Sequence, residues 1–485
     1  MYGTNPLGYH LTAVALHGVS TLAVFGIALK ATPAGTAGAA FAALLFALLP
    51  IHSESVAWIN GSKVDVLPSA LYLVGFLGFV WFRSTRRIRF LGLAALGFLG
   101  SLMSKELAVT FPAMVVCYDL FRRAASHPAA SGDPARRWWQ EFLVPYLGIG
   151  GLLGGYLALR GTIFASVLHE DQWVFNVREA FASAGGFHAE GGRLWETFAQ
   201  LQEFNYRQPF LDFPPMAAGV VVGTLLTWTG FAVGISGNRR EVIAWTAYFA
   251  AVWYLIACLP LLMTYHSVRH LYLPAAGPCI AIACLAATGW NRSWRRARLA
   301  WVASAMVVLM ILAGMLWRQN GNWIRASDIS EKLAQELPAA LEATPREALV
   351  ILWAPIDPNR AYVWPWVMPF ALQEPFVSRD LYSEFRLIEF PVMYCCPVEQ
   401  WWERKRAVLL AALTGDPEQE VAVHRLSWSE EKGVLGRLQI SLTRKQLRAR
   451  IEGILGGPIE SDQTIQDAVA TKLMGDFMDL TAQGN

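Results

Sequence analysis

The chain has 485 residues, which at roughly 150 residues per domain would suggest about three domains. Composition overrides that reading: 54% of the residues are hydrophobic, 16% are charged and the mean hydropathy is +0.35, whereas a soluble globular chain carries about 25% charge. A soluble enzyme, a disordered chain and a nucleic-acid binder are excluded as whole-chain readings, and a net charge of +3 is too small to call for a polyanionic partner.

Apolar runs predict about ten membrane spans, near 8–29, 34–50, 66–82, 90–103, 106–120, 138–159, 214–235, 242–263, 270–289 and 299–317. The fourth and fifth are short for a bilayer that takes about 20 residues per helix. Pro112 and the polar break Ser104-Lys105-Glu106 divide them. Four basic stretches follow: Arg83 to Arg89, Arg122 to Arg137, Arg239-Arg240 and Arg292 to Arg298. By the positive-inside rule all four face the cytoplasm, and the span list satisfies the parity this requires. Loops 51–65, 160–213 and 264–269, the chain beyond about 320 and the N-terminus then face outward. An outward N-terminus with no signal peptide before the first span leads to the expectation that a first helix is missing.

Within loop 160–213, segment 194–206 puts Leu194, Phe198 and Leu201 on one face. This suits either a helix lying in the membrane interface or an ordinary amphipathic helix packed on the protein. After Trp317 the composition changes. A polar helix is expected over 322–344 and a buried strand at Ala348–Trp353. A hairpin of 420–425 with 435–442 is expected around Glu430-Glu431-Lys432-Gly433, and helices near 400–413 and 444–455. The expected fold is therefore mainly α: a polytopic transmembrane bundle over residues 1–320, then a small α/β extracytoplasmic domain over 321–485. Of six cysteines, Cys117, Cys258, Cys279 and Cys284 read as core thiols. Cys395 and Cys396 read as free thiols, with a vicinal disulfide as the alternative. Tryptophans 58, 138, 139, 290, 294, 317 and 323 read as an aromatic belt.

The polar clusters all fall on the predicted outward side. Residues 50–65 supply His52, Glu54, Lys63 and Asp65 at a helix boundary; the alternative is a solvated loop with helix-capping residues. Lys105 and Glu106 sit between two short helices, either paired with one another or holding a phosphate and an acceptor. His266, Arg269, His270 and Tyr272 follow in one stretch. Arg269 is the strongest single candidate, because a cation outside runs against the orientation bias and its guanidinium offers a fork to phosphate oxygens. His10 and His17, seven apart, share a face of the first helix. Cations, carboxylates and an interfacial helix on one surface suit a lipid-linked phosphate donor. The cations would neutralise the leaving phosphate, and a carboxylate would deprotonate an acceptor hydroxyl.

These clusters resemble the membrane glycosyltransferases of the C-type fold (GT-C), above all the protein O-mannosyltransferase-like group with transmembrane and tetratricopeptide-repeat parts. The resemblance rests on Asn5-Pro6-Leu7-Gly8-Tyr9-His10-Leu11-Thr12 with Leu16-His17, on Pro50-Ile51-His52-Ser53-Glu54-Ser55-Val56-Ala57-Trp58, and on Ser104-Lys105-Glu106 with Ala108-Val109-Thr110 and Pro112. Arg269-His270-Leu271-Tyr272-Leu273-Pro274 and Asn320-Gly321-Asn322-Trp323 complete it. The motifs keep family order over residues 5–323. The chain departs from the pattern at Ala13, where the family has Asn, at Gly61-Ser62-Lys63-Val64 with Asp65 one place late, and in a tail without visible repeats. The family's catalytic carboxylate lies in an outward loop after its first span, which would fall upstream of Met1.

The resemblance implies an inverting transfer of sugar from a polyprenyl phosphate to an outward protein or glycan acceptor, in a bacterial inner membrane by composition. It implies Arg269, Lys105, His266, His270 and Tyr272 on the donor phosphate. Glu54, Asp65 and Glu106 are acceptor-side carboxylates, none of them a secure base, and His10, His17, His52 and Lys63 are further polar residues. No cofactor is required, although a divalent metal is compatible with such folds. Two other readings stand beside this one: an inactive scaffold or accessory subunit whose tail binds a periplasmic partner, and a lipid or solute transporter.

Overall fold

The computed structural model describes residues 2–3, 5–125, 144–164, 239–260, 268–292, 295–353, 361, 363, 371–390, 398–429, 432–455 and 459. The chain forms two compact units, Met1–Asn320 and Gly321–Asn485.

The first unit is helical. Helix α1 spans Pro6–Ala31; the Asn5 side chain caps it by accepting from the Leu7 N–H at 3.0 Å, and Pro6 opens the first turn. Helix α2 spans Gly35–Leu48 and the short α3 spans His52–Ala57. A turn at Ile59–Gly61 and a π-helical stretch at Ser62–Val66 lead into α4, Leu67–Thr85. Helix α5 is Ile88–Ser104 and α6 is Phe111–Ala125, joined by a 3₁₀ turn over Glu106–Thr110. The polar break at 104–106 thus divides the apolar run 90–120 as its sequence implies. Helix α7 spans Val144–Phe164, α8 Arg239–Ala247 and α9 Tyr254–Cys258, the last two bridged by a π-helical stretch at Tyr248–Trp253. Helix α10 spans Ala276–Arg292 and α11 Arg295–Glu342. The expected span 214–235, the interfacial helix at 194–206, and Cys395 and Cys396 lie outside the described residues.

Four of these helical stretches are long and apolar enough to cross a membrane: Pro6–Ala31, Ser62–Thr85, Glu241–Cys258 and Arg298–Glu342. Gly35–Leu48, Ile88–Ser104 and Ala276–Thr288 are apolar but shorter. Their outer faces carry exposed Leu11, Val14, Leu22, Leu96, Met306 and Met310, apolar surface that water would penalise and lipid would not. The expectation of separate helices before and after about 320 is corrected. Helix α11 runs unbroken through that point, because the change from apolar to polar side chains alters what the helix faces without interrupting its backbone bonds. Gly321 is tolerated in a helix interior.

Helices α4 and α5 approach most closely where Gly75 and Gly78 meet Ala94 and Gly97. A Cβ on Gly97 would lie 2.6 Å from the backbone of Gly75, so only glycine permits this packing. The Ser101 hydroxyl donates to the Pro68 carbonyl at 2.8 Å along the same seam. At the C-terminal end of α4, Arg83 pairs with Asp119 of α6, and both are buried. The Tyr146 hydroxyl donates to the same carboxylate at 2.5 Å, and Arg122 lies 3.4 Å from its second oxygen.

The second unit holds a four-stranded sheet of β1 (Leu349–Trp353), β2 (Arg386–Phe390), β3 (Glu420–Ser429) and β4 (Val434–Thr443) in the order β2-β1-β3-β4. β1 is parallel to both β2 and β3, and β3 and β4 form the antiparallel hairpin. Gly433 turns that hairpin at φ +63°, a conformation open to glycine at little strain. α12 (Leu381–Glu384) precedes β2, α13 (Val398–Leu413) precedes β3, and α14 (Arg444–Leu455) follows β4. Leu409, Leu413, Leu447 and Ile451 pack on Leu349, Ile351, Ile388, Val421 and Val423. β2 was not expected from the sequence; at five residues it is too short for alternation to announce it. β3 also runs past the expected 425, since its buried positions change from Val421 and Val423 to Leu426 and Trp428. That change of face breaks the period of two.

Candidate functional site

The site is assembled from three segments distant in sequence. Segment 51–65 folds back on itself as α3, a turn and the π-helical stretch, which sets Asp65 one residue before the last of that stretch; such π insertions recur at functional sites. Lys105 has extended backbone, φ −163° and ψ 148°, at the break between α5 and the 3₁₀ turn. Arg269 sits in a second 3₁₀ turn, Val268–Leu271, whose backbone is fixed by the Ser55 hydroxyl donating to the Arg269 carbonyl at 3.1 Å.

The three side chains meet at one carboxylate. Lys105 Nζ donates to Asp65 Oδ1 at 2.6 Å, and Arg269 Nε lies 3.3 Å from Asp65 Oδ2. The side chains of Asp65 and Arg269 are 4% and 6% exposed, and that of Lys105 is 26% exposed. The Arg269 guanidinium also lies over the Trp58 ring, 4.6 Å from its centroid. Two cations on one carboxylate give these three groups a formal charge of +1, and Lys105 is the member that solvent reaches.

A second cluster adjoins through Tyr272, three residues beyond Arg269. His17 Nδ1 is 2.7 Å from the Tyr272 hydroxyl and His17 Nε2 is 3.2 Å from the Ala47 carbonyl. A carbonyl only accepts, so Nε2 carries the proton and Tyr272 donates to Nδ1. The His52 ring packs between Phe46 and Tyr272, at 4.4 and 4.6 Å between centroids, and 5.5 Å from His17. Burial first, and the neighbouring His17 second, hold the His52 imidazole well below its ordinary value.

Of the residues singled out from sequence, Asp65, Lys105 and Arg269 converge, as do His17, His52 and Tyr272. Glu54 and His270 are buried. Glu106 does not pair with Lys105, the alternative open from sequence. It accepts from Arg160 Nη1 at 2.8 Å, with its side chain 58% exposed. The extended backbone at Lys105 sends the two side chains to different partners. Lys63 is exposed and lies 4.9 Å from the Tyr9 ring centroid. His10 does not join His17: it is exposed, because most of α1 before Ala13 stands clear of its neighbours. His266 lies outside the described residues. Among the described residues no group of three or more His, Cys, Asp or Glu side chains is placed to hold a metal ion.

Sequence reasoning missed Trp58, Arg160, Ser55 and Phe46. Trp58 was assigned to an aromatic belt; it stacks on Arg269 instead. Arg160 carried a usable signal, the one that singled out Arg269: a cation at the span end opposite the basic loops. Ser55 and Phe46 carried none.

The chain is 36% identical over 115 residues to the protein O-mannosyl-transferase Tmtc1 of Drosophila melanogaster. It is 34% and 35% identical over 131 residues to protein O-mannosyl-transferase TMTC1 of Mus musculus and of Homo sapiens. In each case 24% of this chain is matched. The chain is O-mannosyl-transferase-like over that quarter. It covers 13% of the length of the fly protein and 14% of each mammalian one. No protein-family model matches the chain, and no solved structure matches it significantly. The apolar helices and these relatives together indicate an integral membrane protein.

Proposed function

We propose that the protein is a membrane glycosyltransferase that moves a sugar from a polyprenyl-phosphate donor to a hydroxyl of an outward-facing protein or glycan. The observation that carries this reading is the meeting of two cations, Lys105 and Arg269, at a buried carboxylate, with Lys105 within reach of solvent. A lipid phosphate supplies the matching charge, and its polyprenyl tail suits the apolar helices around the site. In the reaction the bond from the anomeric carbon to the phosphate oxygen breaks. The acceptor oxygen bonds that carbon from the opposite face, its proton passes to a base, and the phosphate leaves. Lys105 and Arg269 stabilise the charge that grows on the departing phosphate. Asp65 has each oxygen against a cation; Glu54 and Glu106 are the carboxylates assigned to the acceptor side, Glu106 being already paired with Arg160.

The unit Met1–Asn320 is read as a bundle of about ten spans with this site at the outward face. Asp65 and Arg83 stand 18 positions apart on one continuous helical stretch, about 27 Å at 1.5 Å per residue, close to a hydrocarbon core of about 30 Å. Arg83, Arg86, Arg87, Arg89, Arg122 and Arg123 gather at the far end, the cytoplasmic end by the positive-inside rule. The similarity to mannosyl-transferases makes mannose the first sugar to test. The full chain in lipid nanodiscs is given radiolabelled polyprenyl-phosphate mannose and a Ser/Thr-containing peptide. Arg269→Ala is expected to lower transfer by about 10²-fold or more, as removal of a charge-stabilising donor does. Undiminished transfer by that variant, once folded, refutes the reading.

A further inference from the structure

We propose that Asp65 is the positioning residue of the donor-phosphate clamp, its carboxylate holding Lys105 and Arg269 toward one another so that both address one phosphate group. The inference rests on the donor reading above and goes beyond it, since it moves Asp65 from the acceptor side to the donor side. Lys105 and Arg269 are 164 positions apart on separate segments, and the Asp65 carboxylate touches both: Oδ1 to Lys105 at 2.6 Å, Oδ2 to Arg269 at 3.3 Å. Burial orders them. The Asp65 side chain is 4% exposed and that of Lys105 is 26% exposed. The carboxylate therefore lies behind and the ammonium in front, so that Asp65 acts through the cations and not on the acceptor.

Each part of this arrangement has a physical purpose. Lysine and arginine are long and lose much rotamer freedom when fixed; a clamp ordered before the ligand arrives avoids that loss on binding. Like charges brought together without a counterion repel, and the shared carboxylate offsets that repulsion. The Arg269 guanidinium is held from a second side by Trp58, 4.6 Å away. The Asp65 carboxylate sets the distance between the cations as well as their charge. A glutamate, one methylene longer, keeps the charge but not the spacing.

The test uses the full chain in nanodiscs with undecaprenyl phosphate and dolichyl phosphate as binding probes, and polyprenyl-phosphate mannose for kinetics. For Asp65→Asn and Asp65→Glu, Kd for the polyprenyl phosphate and KM for the donor are expected to rise tenfold or more. Acceptor KM is expected to stay within about twofold, while kcat falls together with donor affinity, because the cations that Asp65 positions also stabilise the departing phosphate. A fall in kcat with donor affinity unchanged places Asp65 in the proton transfer and overturns the proposal. Unchanged donor affinity and unchanged kcat overturn it as well. Wild-type protein that binds neither probe removes the donor reading together with this inference, whereas wild-type binding that Asp65→Glu leaves intact removes only the positioning role. If neither Asp65 variant folds, Lys105→Met, Arg269→Gln and the double variant carry the test. Cations held as one unit lose affinity non-additively, and strictly additive losses overturn the proposal.

Discussion

The packing of α4 on α5 makes Gly97→Ala the most informative single substitution. The new Cβ would stand 2.6 Å from Gly75 Cα and N and 2.7 Å from the Leu71 carbonyl oxygen. Carbon atoms pack at about 3.5–4.0 Å, so the helices must part by roughly 1 Å. All three obstructing atoms are backbone, and no rotamer change relieves them. Overpacking of this kind costs about 1–3 kcal/mol, and a gap of roughly that size forfeits about a quarter to a half of the attraction between the atoms that line it. The displacement also reaches the site. Asp65 lies two residues before α4 begins and Lys105 directly follows the end of α5, with 2.6 Å between Oδ1 and Nζ. Parting the helices by roughly 1 Å takes that contact beyond the usual limit of about 3.2 Å.

Gly92→Ala is the control, since a Cβ there meets nothing within 4 Å. Alanine is favoured over glycine in a helix interior by about 0.8–1.0 kcal/mol. The assay is thermal unfolding of both full-length variants in the same detergent, followed by titration with undecaprenyl phosphate. Gly97→Ala is expected to melt below wild type and bind the probe more weakly, and Gly92→Ala to melt at or above wild type and bind it equally. If Gly97→Ala melts no lower than Gly92→Ala, the close approach is not what holds this pair of helices, and the reasoning from packing to site fails.

Asp119→Asn removes the carboxylate shared by Arg83, Arg122 and Tyr146; loss of one partner of a buried pair costs about 3–5 kcal/mol. Glu418→Gln breaks an exposed pair with Lys445 at 3.7 Å and is expected to change stability by about 1 kcal/mol or less, so equal shifts in melting temperature for the two variants would contradict the burial argument. His52 has a folded-state pKa below its ordinary 6.5, so the unfolded chain binds the proton more readily. The stability of the neutral ring is full above about pH 6.5 and is lost as pH falls through and below that value. His52→Phe keeps an aromatic ring beside Phe46 and Tyr272 and is expected to flatten the fall in melting temperature between pH 7 and 5; parallel curves for the variant and wild type would count against it.

The helices were legible because apolar runs announce them, and the break at Ser104-Lys105-Glu106 was legible because an extended polar residue between apolar runs ends a helix. The hairpin β3–β4 was legible from alternation and Gly433. The five-residue β2 and the continuity of α11 were not. A strand that short carries no period, and a change from apolar to polar side chains looks the same whether a helix ends or continues into a new environment. In the site, Lys105 and Arg269 were legible as cations out of place among the predicted spans. What escaped was pairing. Sequence adjacency suggested Lys105 with Glu106, whereas the structure pairs Lys105 with Asp65 and Glu106 with Arg160.

That pairing follows from backbone direction, which composition does not reveal. In an extended segment successive side chains point to opposite sides, and Lys105 is extended where α5 stops. The ammonium is thereby delivered to the buried carboxylate beside Arg269, and the next carboxylate goes to the exposed side with Arg160. Both misplaced arginines thus have an acid partner, but the balance differs. Arg160 pairs with Glu106, while Arg269 and Lys105 both reach Asp65. The side chains of Asp65 and Arg269 are 4% and 6% exposed against 58% for Glu106, so charge in that cluster is screened less by water and salt. The junction at 105–106 thus sends a cation to Asp65 and the next carboxylate to Arg160.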